Sequence, residues 1–136
     1  MIEFAALLLV STLFGGMMLY SFGFAPMVFS ALKGEVAGRF IRDAFPWYYL
    51  FVIVASAVSG AILLLVNFGS AALMLATCAV AIYARQLLMP QINAARDEQL
   101  QGNAQAKGRF GRLHGFSVLL NFVQLIAAGY VLYRFL

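Results

Sequence analysis
The chain has 136 residues, 64% of them hydrophobic and 10% charged, with a mean hydropathy of +0.92. Soluble domains carry roughly a quarter of their residues as charges, and a chain this short leaves too much surface exposed to hide so much apolar side chain, so a water-soluble globule is excluded. The net charge of +4 does not point to nucleic acid, because the Lys and Arg residues cluster in two segments between apolar runs, which is a signature of membrane topology.

Phe4 to Leu32 holds no charged residue. A spanning helix needs roughly 20 apolar residues, so a first span is expected over about 4–30. Pro26 is expected to kink it or end it near the membrane face. A signal peptide is disfavoured, since no positive residue precedes the apolar run and no small-residue cleavage pattern follows it. Lys33 to Phe45 reads as a polar connection. Ala44 to Ala84 is again free of charge, too long for one helix and suited to a hairpin. Asn67-Phe68-Gly69-Ser70 is its turn. The second span is then about 47–66 and the third about 71–89, with Pro90 stopping or bending it. Gln91 to Arg112 is polar and should extend the third helix before loosening around Gly102 to Gly108. The fourth span is about 110–133. The expected architecture is an all-α, integral membrane four-helix bundle forming a single domain over residues 1–136.

Charge also gives an orientation. Lys33, Arg39, Arg42, Arg96, Lys107, Arg109 and Arg112 lie on one side, and only Arg134 lies on the other. The positive-inside rule puts both polar connections in the cytoplasm and both termini outside, as in a bacterial inner membrane. Glu3, the acid nearest the outer face, reads as a terminal charge. Small residues at four-residue spacing (Ser11 with Gly15, Thr12 with Gly16, Ser56 with Gly60) let helix backbones approach in lipid. Packing within the chain is the first reading, and packing between subunits is the alternative.

The fourth span carries the most informative pattern. His114, Ser117, Asn121, Gln124 and Ala128 recur at alternating three- and four-residue spacing and share one helix face. Polar side chains in hydrocarbon need partners, so this face should point into the bundle. On the third span Thr77, Ala81 and Arg85 lie near one face, with Asn93 beyond Pro90. At roughly 1.5 Å per residue, Arg85 and His114 fall at similar depth, and Asp43 and Tyr48 can reach the same layer. The expected site is a ligand-binding polar pocket in the cytoplasmic half, lined by Arg85, Asn93, His114, Ser117 and Asn121. Ionisable groups inside a membrane are functional candidates. The competing reading makes Arg85 a snorkelling cation, and Ser117 with Asn121 interhelical glue.

Much chemistry is missing. No phosphate-binding glycine loop, nucleophile elbow or carboxylate pair lies in the spans. No acid lies within a span to carry protons for an exporter. One Cys, Cys78, and one His exclude a zinc site built from several such ligands of one chain, and Cys78 reads as a small core residue. A single His can supply an axial haem ligand, so haem stays open as a cofactor, which is otherwise unassigned. No residue set points to a catalytic centre.

The run Arg109-Phe110-Gly111-Arg112-Leu113-His114-Gly115-Phe116-Ser117, with Asn121 four residues on, is similar to the last-helix signature of the transmembrane protein 205-like family. Phe45-Pro46-Trp47-Tyr48-Tyr49 before the second span is similar too, as is Ala84-Arg85 followed by Pro90. This resemblance covers nearly the whole chain. It implies a four-span membrane protein, picks out Pro46, Arg85, Pro90, His114, Gly115, Ser117 and Asn121, and implies no firm activity. The expected role is non-enzymatic: binding or moving a small ligand, or serving as accessory subunit of a membrane complex. The expected partners are the lipid bilayer and a membrane protein or second copy of the chain, with no nucleic acid. The alternative is a haem- or quinone-linked oxidoreductase using His114 and Arg85.

Overall fold
The computed structural model describes residues 1–136 and contains four long helices: Ile2–Ala31, Gly34–Leu63, Phe68–Leu100 and Ala104–Tyr133. Each is long and apolar enough to cross a membrane. Of 118 backbone–backbone hydrogen bonds, 101 lie within helices. Hydrocarbon imposes this, because it offers no other partner to a backbone N–H or carbonyl.

The helices are longer than the apolar runs. Lys33 to Phe45, expected as a polar connection, is helical from Gly34 onward, and only Leu32 and Lys33 separate the first two helices. No Pro or turn cluster interrupts Glu35 to Ala44, and an Arg39–Glu35 pair at helical spacing sits on this segment. The loosening expected around Gly102 to Gly108 is confined to three residues, Gln101 to Asn103. Gly102 takes φ +94°, open to it for want of a Cβ. Asn103 then restarts the chain as a helix by accepting the Gln105 N–H on its side chain at 3.0 Å. Asn67 does the same for the third helix, accepting from Ser70 N at 2.9 Å.

Two helices widen into a single π-helical stretch, Leu19–Phe24 in the first and Ala84–Leu88 in the third. Each stretch ends two residues before a proline, Pro26 or Pro90. A proline ring clashes with the carbonyl four residues back. Those carbonyls belong to Phe22 and Gln86, inside the widened turns, so the extra residue per turn lets the helix pass its proline without stopping.

The first helix packs on the second and fourth, and the third also packs on the second and fourth. The second and fourth therefore face each other across the bundle. The core is a column of Ala6, Val10, Leu13 and Met17 meeting Val52, Leu63, Met74, Ala81, Leu125, Ala128 and Val131. Only 28 of 136 residues are buried, so most large apolar side chains face outward, the arrangement lipid favours. Gly60 brings the second and third helices together: a Cβ there would meet Leu75 Cδ2 at 2.8 Å. Ser11 and Gly15 behave otherwise. Both are exposed, and a Cβ on Gly15 would meet nothing, so this pair does not pack within the chain.

Candidate ligand site
The bundle has a charged end, where the first helix meets the second and the third meets the fourth. Arg42 of the second helix pairs with Asp97 of the third through two hydrogen bonds, at 2.6 and 3.1 Å. Arg109 of the fourth pairs with Glu98 at 2.7 Å, and Arg96 lies over the Phe110 ring. These pairs tie three helix extensions together beyond the apolar core.

Just inside this end lies a polar cluster. The Tyr48 hydroxyl donates to Asn121 Oδ1 across the bundle, and Asn121 Nδ2 donates to Ser21 Oγ at 3.0 Å. One amide thus holds the first, second and fourth helices. Tyr20, on the same widened turn as Ser21, stacks on Tyr48 at 4.1 Å between ring centroids, and Phe45 and Tyr49 complete the aromatic layer. The Tyr20 hydroxyl is enclosed and has no hydrogen-bond partner. One turn deeper, Gln124 Nε2 donates to the Thr77 carbonyl at 2.9 Å, so the polar stripe does point inward from Ser117 to Ala128.

The five expected site residues do not gather in one pocket. Asn121 is the hub of the cluster. Ser117 is buried one turn away, its hydroxyl returned to the His114 carbonyl at 2.7 Å. Arg85, half-buried on the second widened turn, donates from Nε to the Pro46 carbonyl at 3.3 Å, two residues from Tyr48. Asn93 is half-buried. His114 is exposed, its ring stacked almost parallel on Phe110 of its own helix at 5.6 Å. That stacking lays the imidazole along the helix surface. No group of three or more His, Cys, Asp or Glu side chains converges anywhere in the fold.

Sequence reasoning missed Tyr20 and Ser21. It also missed a cavity of about 460 Å³ lined by Gly16, Leu19, Tyr20, Phe24, Ala44, Trp47, Tyr48 and Phe51, between the first and second helices. The lining is aromatic and apolar, and the cavity is open to the outside of the bundle beside the exposed Trp47. Gly16 lets the Phe51 ring close against the first helix, since a Cβ there would run into that ring. Tyr48 belongs to both features: its ring lines the cavity and its hydroxyl enters the polar cluster. The aromatic run Phe45 to Tyr49 was the sequence signal for this wall.

Residues 8–101 match the family model described as Domain of unknown function (DUF4149). That stretch covers more than half of the chain and runs from within the first helix to the end of the third, so the chain belongs to this uncharacterised family. The match ends before the polar stripe of the fourth helix. Neither the curated proteins nor the solved structures give a match.

Proposed function
We propose that this DUF4149 protein binds, and passes between membrane and polar cluster, a small amphiphile that resides in the bilayer. The observation that carries this reading is the double position of Tyr48. An amphiphile entering sideways would rest its apolar part against Trp47, Phe51 and Leu19 and meet hydrogen-bonding groups at Tyr48, Ser21 and Asn121. The volume of about 460 Å³ lies within the roughly 300–1,000 Å³ of small-molecule sites. Both π stretches carry side chains of this layer, Tyr20 and Ser21 on one and Arg85 on the other, and such turns recur at functional sites. Arg85, Asn93, Ser117 and Asn121 then line the polar approach from the charged end, with His114 exposed outside it. The orientation belongs to the same proposal: charged end in the cytoplasm, both termini outside, in a bacterial inner membrane.

The test is native mass spectrometry on protein extracted gently from its own membrane, with an absorbance spectrum. Wild type should retain one amphiphile per chain. Tyr48→Phe should retain it about three- to tenfold less, the effect of one hydrogen bond inside a membrane, while staying folded by circular dichroism. A bare wild-type chain, or equal retention by the folded variant, overturns the reading. An extract that carries a stoichiometric protein instead would favour the accessory-subunit role.

A further inference from the structure
We infer that the opposite end of the bundle, where the two termini meet the turn between the second and third helices, holds a second and separate site. It takes a small zwitterion, a primary ammonium a few bonds from an anionic oxyacid, as in a phosphoethanolamine headgroup. A cavity of about 240 Å³ lies there, lined by Glu3, Asn67, Ser70 and Arg134 with Leu63 and Phe135. It is more polar than the cavity at Tyr48 and too small for a drug-sized ligand by the roughly 300 Å³ that such sites begin at.

Its charges are uncommitted. The three ion pairs of the chain are Arg39–Glu35, Arg42–Asp97 and Arg109–Glu98, so Glu3 and Arg134 face one cavity without closing on each other. The other charged side chains of the fold lie toward the far end, and the Met1 ammonium at this end closes no ion pair with Glu3. The Arg134 guanidinium lies over the start of the third helix, with Nη1 3.3 Å from where a Gly69 Cβ would stand. The first turn of a helix is itself positive, so cation and helix end reinforce each other and invite an anionic oxygen. Asn67 Oδ1 is occupied by Ser70 N, whereas its amide nitrogen donates to no group in the chain and can join Arg134 on the same oxygen. Glu3 supplies the acceptor for an ammonium on the facing wall. A simple anion would leave Glu3 unanswered and a simple cation would leave Arg134 so; a zwitterion answers both. The cavity lies at the helix ends, the level of lipid headgroups, and the apolar Leu63 and Phe135 suit the carbons between the two charges.

The experiment is native mass spectrometry of the full chain from vesicles of equal phosphatidylethanolamine and phosphatidylglycerol. Wild type should retain phosphatidylethanolamine over phosphatidylglycerol roughly fivefold, the range of two exposed charge contacts. Glu3→Gln and Arg134→Gln should each bring the ratio near one with unchanged thermal unfolding, since both side chains are exposed at helix ends. Soluble O-phosphoethanolamine distinguishes the sources: displacement of the lipid by it assigns the site to the headgroup alone, free or lipid-borne, and failure to displace assigns it to the intact lipid. Equal retention of the two lipids by wild type overturns the inference whatever the variants do, and so does a preference that survives in both folded variants. Tyr48→Phe should leave this preference intact, so failure here and failure of the Tyr48 site are read separately.

Discussion

Asn121 is the residue on which the inner cluster turns. It accepts from Tyr48 and donates to Ser21, and both bonds lie where water is scarce. Asn121→Leu should lower stability by about 1 kcal/mol, since hydrogen bonds inside membranes measure roughly 0.6 on average and 1.7 at most. Ser21→Ala should cost less, and the double variant should cost less than the sum, because the two substitutions remove a shared bond. Thermal unfolding in detergent measures all three, and strict additivity would mean that the Asn121–Ser21 bond contributes nothing. Asn121 was legible from the stripe, because period alone says which face of a helix is polar. Ser21 was not, because a lone hydroxyl among aromatics has no period. A helical pattern also names a face but not the neighbour that meets it. His114 shows the same limit from the other side: its spacing fits the stripe, yet stacking on Phe110 keeps it outside the cluster.

At the scale of the element, prolines and glycines divide into those that shape packing and those that face lipid. Pro26 and Pro90 were legible as breaks, but the sequence could not tell a stop from a widened turn, because both relieve the same clash with the carbonyl four residues back. Small-residue spacing was equally ambiguous, and the structure separates the cases by what each missing Cβ would meet. An Ala in place of Gly inside a helix gains roughly 0.5–1 kcal/mol where space is open. Gly15→Ala should therefore stabilise the protein slightly, because nothing lies within reach. Gly60→Ala must displace Leu75, whose Cδ2 and Cγ would stand at 2.8 and 2.9 Å, and overpacking of this kind costs roughly 1–3 kcal/mol. The two Gly→Ala changes should thus move the melting temperature in opposite directions. A rise for both would show that the second and third helices are not held as closely as described.

For the whole molecule, the four spans were legible because charge-free runs of that length have no other use, whereas the helical nature of the polar segments was not. Hydropathy reports where lipid is, and a helix that leaves the hydrocarbon gives no hydropathy signal. Helices of 30 residues measure about 45 Å at 1.5 Å per residue, against a hydrocarbon core of about 30 Å. The excess must emerge somewhere. The turn at Leu64 to Asn67 is short, and Leu65 and Phe68 beside it are exposed and apolar, so beyond Glu3, Arg134 and the chain ends that side has little to place in water. The other end carries Arg42, Asp97, Glu98 and Arg109 in ion pairs between helices. Each such pair is worth little by itself at a wet surface, but together they mark the extension as built for water. The proposed orientation then follows from where the cations lie, since Lys and Arg resist translocation. In a Cys78→Ala background, a cysteine appended after Leu136 should react with a membrane-impermeant maleimide on intact cells. A cysteine at Gly102, in the opposite turn, should react only after lysis. The reverse pattern would put the charged end outside, and would move the Glu3–Arg134 cavity to the cytoplasmic leaflet and the Tyr48 cluster to the outer one.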